Sequence, residues 1–120
     1  MNAPYEDNGR PPVALENIRE MLGGDPEREK ELFQIFIESA DECLEGMKNS
    51  RDPGGENNWR TQAHAFKGMS LNLGAGELGR LCAEAQKNPA APREEKDRML
   101  AEISAEYNKV KEFLQQQRQG

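Results

Sequence analysis

The sequence predicts an all-α fold, an antiparallel four-helix bundle with a short additional helix at its N-terminal end. Three observations lead there. Apolar residues recur at spacings of three and four in five separate stretches. Glycine, proline, asparagine and aspartate gather between those stretches, so connections are short and neighbouring helices run antiparallel. No stretch shows the two-residue alternation of a strand, and no internal repeat stands out.

Each element has its own justification. Residues 1–11 hold Pro4, Gly9 and Pro11 among polar neighbours and read as a flexible leader, so the expected single domain spans 12–118. Leu15, Ile18 and Leu22 then mark a short first helix, which Gly23-Gly24 stops. Asp25-Pro26 supplies an N-cap and a first-turn proline for the second helix, and Glu27 and Glu29 complement its dipole. This helix is expected to reach about Ser50. Its stripe is Phe33, Phe36, Ile37, Ala40, Cys43, Leu44 and Met47, with Glu31, Glu38, Asp41 and Glu45 largely off it. After the turn Asp52-Pro53-Gly54-Gly55, a third helix steps through Trp59, Ala63, Phe66, Ser70 and Leu73 and ends at Gly74. Leu78, Leu81, Cys82 and Ala85 define a fourth, and Asn88-Pro89-Ala90-Ala91-Pro92 separates it from the fifth. The fifth carries Met99, Ile103, Tyr107, Val110 and Leu114 and is expected to fray over Gln115–Gln119.

Composition narrows the function classes. A chain of 120 residues, 35% apolar and 32% charged, suits one core and is too short for a nucleotide-binding sheet plus a substrate domain. A net charge of -6 opposes broad nucleic-acid binding and adhesion to an anionic membrane. No apolar run approaches the ~18 residues of a membrane span, and the first ten residues lack a signal core, so a cytoplasmic location is expected. Cys43 and Cys82 each fall in an apolar helical pattern and read as buried thiols; with one histidine in the chain, no metal site is expected. One bundle accounts for all the apolar stripes, which favours a monomer, and an initiator-like Met1 suits a free-standing protein.

At about 100° per residue, His64 lies roughly 150° from the apolar stripe of the third helix and faces outward. Arg60, Lys67, Gly68 and Leu71 share its face. A surface histidine is ordinarily only a solvated side chain, but three features set this one apart. From Asn57 to Gly76 there is no Asp or Glu, where the chain average would give about four. Gly68 sits inside the helix, at a cost of about 1 kcal/mol against alanine, on the outward face beside His64. Lys67 follows by one turn, so its ammonium can meet an anion attached to the ring.

His64-Ala65-Phe66-Lys67-Gly68-Met69-Ser70, followed by Leu73-Gly74-Ala75, resembles the H-x-L-K-G-x-S…L-G-A signature of histidine phosphotransfer (HPt) domains of bacterial phosphorelays. The likeness extends at the level of pattern over about 12–115, including Leu22-Gly23-Gly24-Asp25-Pro26. Phe66 stands where the family often has Leu, and Met69 where it often has a small residue; both point away from His64. The resemblance implies that His64 accepts a phosphoryl group through Nε2 from a receiver-domain aspartate and passes it to another. Histidine's ordinary pKa, about 6.5, leaves an imidazole mostly neutral near pH 7, so such a step needs no dedicated base. Lys67 would balance the phosphoryl oxygens, and Gln86 matches a polar position that in related domains bonds the ring or the phosphoryl group. From the sequence alone, Gln86 is equally a surface glutamine near a helix end. Gly68, Leu71 and Arg60 would meet the partner; Met21 and Ile37 could extend that patch, though core packing is the commoner place for each. The implied partners are receiver domains of response regulators or of a hybrid sensor histidine kinase. No cofactor is implied for this chain, since the Mg²⁺ of the transfer belongs to the receiver.

Other classes fit less well. Dimerisation helices of sensor kinases place an acid directly after the histidine, where this chain has Ala65. Gly74-Ala75-Gly76 lies between helices rather than after a strand, so an ATP site and kinase activity are not expected. A helical adaptor that binds a receiver without accepting phosphate, a pseudo-HPt protein, is the alternative, though the presence of His64, Lys67 and Gly68 weighs against it.

Overall fold

The computed structural model describes residues 11–119, with side chains described to residue 117; the leader expected over residues 1–11 lies outside this range except for Pro11. Five helices follow one another: α1 (Glu16–Met21), α2 (Pro26–Lys48), α3 (Glu56–Leu73), α4 (Gly76–Gln86) and α5 (Arg93–Gln119). The four longer helices close a ring in which α2 packs on α3 and α5, and α4 packs on α3 and α5. No strand occurs among the described residues. The fold is the helical bundle that the periodicity predicts.

The ends of the elements follow from their residues. Asp25 is extended and its carboxylate accepts from the Glu27 backbone N–H at 3.0 Å, with Pro26 opening α2. Helix α2 stops at Lys48 rather than Ser50, because the Ser50 hydroxyl donates back to the Gly46 carbonyl at 2.7 Å and closes the last turn. Gly74 ends α3 in the left-handed region, φ +96°, and Ala75 N–H returns to the Ser70 carbonyl at 2.8 Å. The Gly74 carbonyl in turn accepts from Ala14 N–H at 2.9 Å, which draws the segment before α1 across the α3–α4 turn.

A single core runs from Val13 to Leu114 and includes every apolar stripe residue of α3 and α5, with Ser70 buried beside it. Of the predicted stripe residues, Leu22, Ile37 and Leu81 are half-buried rather than buried. Tyr107 sits at the centre, edge-on to Phe36 (centroids 6.2 Å apart) and Phe66 (5.7 Å). Its hydroxyl lies 2.7 Å from Asp41 Oδ1 and 3.1 Å from the Ile37 carbonyl, so its proton is satisfied on α2. Both cysteines are free and buried, as the pattern predicts, and burial pushes the Cys82 thiol up to about 12. Helix α5 remains helical through the glutamines that composition predicts to fray. Val110 and Leu114 are fully buried beneath its last turns, and Gln117 accepts from Arg19 Nη2 at 3.1 Å. No helix among the described residues is long and apolar enough to cross a membrane.

Candidate functional site

Trp59, Ala63, Phe66, Ser70 and Leu73 are all buried, and this fixes the rotation of α3 about its axis. His64 therefore stands exposed on the outward face. Ser70, the polar member of the stripe, is accommodated by donating its hydroxyl to the Phe66 carbonyl at 2.8 Å.

The ring has one partner across helices. The side-chain amide nitrogen Nε2 of Gln86, the last residue of α4, lies 3.1 Å from His64 Nδ1. The 22-residue separation gave no hint of which face of α4 would meet α3, and the packing of the two helices supplies it. A neutral imidazole carries one N–H and one lone pair, so whatever Gln86 presents to Nδ1 decides what Nε2 offers to solvent. An amide nitrogen at Nδ1 leaves the proton on Nε2. An amide oxygen there accepts from Nδ1–H and leaves Nε2 with its lone pair. A half-turn of the amide exchanges the two without changing its shape.

Lys67 is half-buried and makes no ion pair with any described residue. Arg60 is exposed, and its Nη2 donates to Asn57 Oδ1 at 2.6 Å rather than to a carboxylate. Glu56, one turn before Arg60, accepts from the Gly54 backbone N–H at 3.0 Å, and Glu77, the first acid after the site, is taken up by Arg80 through two hydrogen bonds of 2.9 and 2.7 Å, which hold its carboxyl below the usual range. Among the described residues, neither Arg60 nor Lys67 forms an ion pair with a carboxylate.

Gly68 has nothing within 4 Å of the position its Cβ would occupy. Packing within the described chain gives no reason for glycine there. Leu71 is 53% exposed but leans on α4, where a Cβ on Gly79 would come within 2.5 Å of its Cδ2. A side chain at position 79 would push Leu71 from this seat.

Ile37 takes the more expected of its two places, against the core, and does not extend the outward patch. Ile37 is half-buried against the core, and Ile35 takes the outward place at 58% exposure. Met21, for which core packing was the commoner expectation, is 70% exposed. Ile35 and Met21 line an open groove of about 590 Å³ between α1, α2 and α3, with Met69 and Asn72 on its α3 side. The available signal was Ile35 itself, an aliphatic residue on an otherwise charged face. Among the described residues no group of three or more His, Cys, Asp or Glu could hold a metal ion.

The model of the Hpt domain family matches residues 31–120. Neither curated proteins nor solved structures gave a significant match. The match takes in His64, Lys67, Gly68 and Gln86 and covers three quarters of the 120 residues. Helical architecture, surface histidine and family match agree, and the chain belongs to the Hpt domain family, whose members are phosphotransfer carriers, not kinases, in two-component systems.

Proposed function

We propose that His64 is the phosphoryl carrier of this protein, taking the group from the aspartyl phosphate of one receiver domain and giving it to the aspartate of another. The observation that carries this reading is the contact between Gln86 and His64 Nδ1 at 3.1 Å, on an exposed ring beside cations that form no ion pair among the described residues.

The structure sets the Gln86 amide nitrogen on Nδ1; with the amide turned by half a turn its oxygen accepts from Nδ1–H, and the Nε2 lone pair of His64 points outward. That lone pair attacks phosphorus, an N–P bond forms, and the P–O bond to the aspartate breaks and returns a carboxylate. The phosphorylated ring gains positive character, and its proton stays on Nδ1, donated to the Gln86 amide oxygen. Transfer of this kind passes through a loose transition state governed by positioning and charge. Lys67, one turn away, balances the phosphoryl oxygens in this reading, while the Mg²⁺ belongs to the receiver's acidic pocket. The open space above Gly68 admits the receiver's backbone, Leu71 offers apolar contact, and Arg60 faces the acidic rim. The groove lined by Met21 and Ile35 continues that contact toward α1. A monomer with a cytoplasmic partner completes the reading.

The test is label transfer from a phosphorylated receiver domain to wild type and to His64→Gln. Acid-labile, base-stable label on wild type alone supports the reading. Receiver binding without label, across a panel of receivers, replaces it with a docking adaptor.

A further inference from the structure

Among the described residues, the most deeply held side chain near the site is one the phosphoryl reading does not use. Trp59 is fully buried, and its indole Nε1–H donates to the Ala85 carbonyl at 2.7 Å. In a continuing helix that carbonyl would be served by the N–H of residue 89, but residue 89 is proline and has none. Asn88 N–H reaches it from three residues on at 3.1 Å, and the indole supplies the shorter bond. Over the ring stands Lys96 of α5, itself 2% exposed, with Nζ 5.0 Å from the ring centroid. The indole is thus fixed on two sides, and it holds the Ala85 carbonyl in the last turn of α4.

The next residue after Ala85 is Gln86, whose amide touches His64. Two positions five apart on α3, Trp59 and His64, therefore hold two consecutive residues of α4. Side chains on a helix lean toward its N-terminus, and because α4 runs antiparallel to α3 this carries the Gln86 amide back along α3 toward His64. A slip of the α4 end by a fraction of a residue breaks a 3.1 Å contact. We infer that Trp59 is a positioning residue for the relay: its hydrogen bond to Ala85 sets the register of the α4 end, so that Gln86 meets Nδ1 of His64 and selects the ring's tautomer. Lys96 supports it by holding the indole from the other side.

The inference rests on the phosphoryl-carrier reading, but its readout does not need phosphate. The chain has one histidine, so the ¹⁵N signals of the unphosphorylated protein report the His64 tautomer alone. Variants are Trp59→Phe, which keeps an aromatic ring without the N–H, Gln86→Ala, and their combination. Replacement of Trp59 by 3-benzothienylalanine keeps the indole shape without its donor, should the phenylalanine variant fold poorly. With the amide oxygen on Nδ1, as the carrier reading requires, Gln86→Ala is expected to shift the ring from Nδ1–H toward Nε2–H by about fivefold, the net worth of one hydrogen bond; a shift the other way would show the amide nitrogen on Nδ1 and overturn the tautomer assignment. Trp59→Phe and the isostere should shift it in the same direction, and the double variant should go no further than Gln86→Ala. A wild-type tautomer ratio in both Trp59 variants, additive shifts, or no shift in Gln86→Ala would overturn the inference. Coupling that persists in a wild type unable to take phosphate supports the positioning and removes the carrier reading. Uptake of phosphate without coupling removes the positioning alone.

Discussion

Gly68 and Lys67 are where the account is most exposed at the scale of single residues. Nothing in the described chain touches the Cβ position of Gly68, so alanine there should raise stability by about 0.5–1 kcal/mol in urea unfolding. A bulkier Gly68→Met should leave the fold intact and slow phosphoryl transfer at least tenfold, because it fills the space a receiver approaches through. Normal transfer in that variant would mean the helix face is not the docking face. For Lys67, loss of one charge-assisted contact to the phosphoryl group is worth about 1.5–3 kcal/mol. Lys67→Ala should therefore slow transfer about tenfold to a hundredfold, with partial recovery in Lys67→Arg. An unchanged rate in stopped-flow transfer assays would leave Lys67 a solvated side chain.

Among the elements, the α3–α4 turn carries the sharpest constraint. Gly74 needs positive φ, and a Cβ there would run into the Ala14 carbonyl, so one residue serves both the helix end and the seat of the N-terminal segment. Gly74→Ala should lower stability by about 2 kcal/mol or more, read as a lower urea midpoint at constant slope. A loss under about 0.5 kcal/mol would contradict this view of the turn. The elements themselves were legible in the sequence because their causes are local: Asp25-Pro26 caps α2, Gly74 ends α3, and the stripes of α3 and α5 step by three and four. What was not legible depends on how helices meet. The reach of Gln86 to His64, the seat of Leu71 over Gly79 and the burial of Lys96 on Trp59 are set by contacts between elements, which no single stripe encodes. Ile35 illustrates the remaining difficulty. An exposed aliphatic in a helix breaks no local rule, and only the groove formed with α1 gives it meaning.

For the whole molecule, the acidic chain keeps one strip of α3 clear of carboxylates, and the core behind that strip fixes which residues it presents. The same core predicts an alkaline limit. Burial holds the Cys82 thiol up at about 12 and raises the Cys43 thiol, while burial and the Asp41 carboxylate raise the Tyr107 hydroxyl. The folded state keeps these protons where the unfolded chain releases them, from about pH 8.5 for thiols and about pH 10 for tyrosine. Stability from these groups is complete at neutral pH and should decline as pH rises from about 9 toward 12. The urea midpoint should be flat from pH 7 to about 8.5 and fall by pH 10.5, less steeply in Cys82→Ala. A midpoint that holds level to pH 10.5 would show that these protons are not retained by folding. The most direct measurement of the central claim is the ³¹P and ¹⁵N spectrum of ¹⁵N-labelled protein after reaction with a phosphorylated receiver domain. The account predicts one phosphoramidate signal, coupled to Nε2 of His64 and absent from His64→Gln. A phosphate bound through Nδ1, one located elsewhere in the chain, or none at all would contradict it.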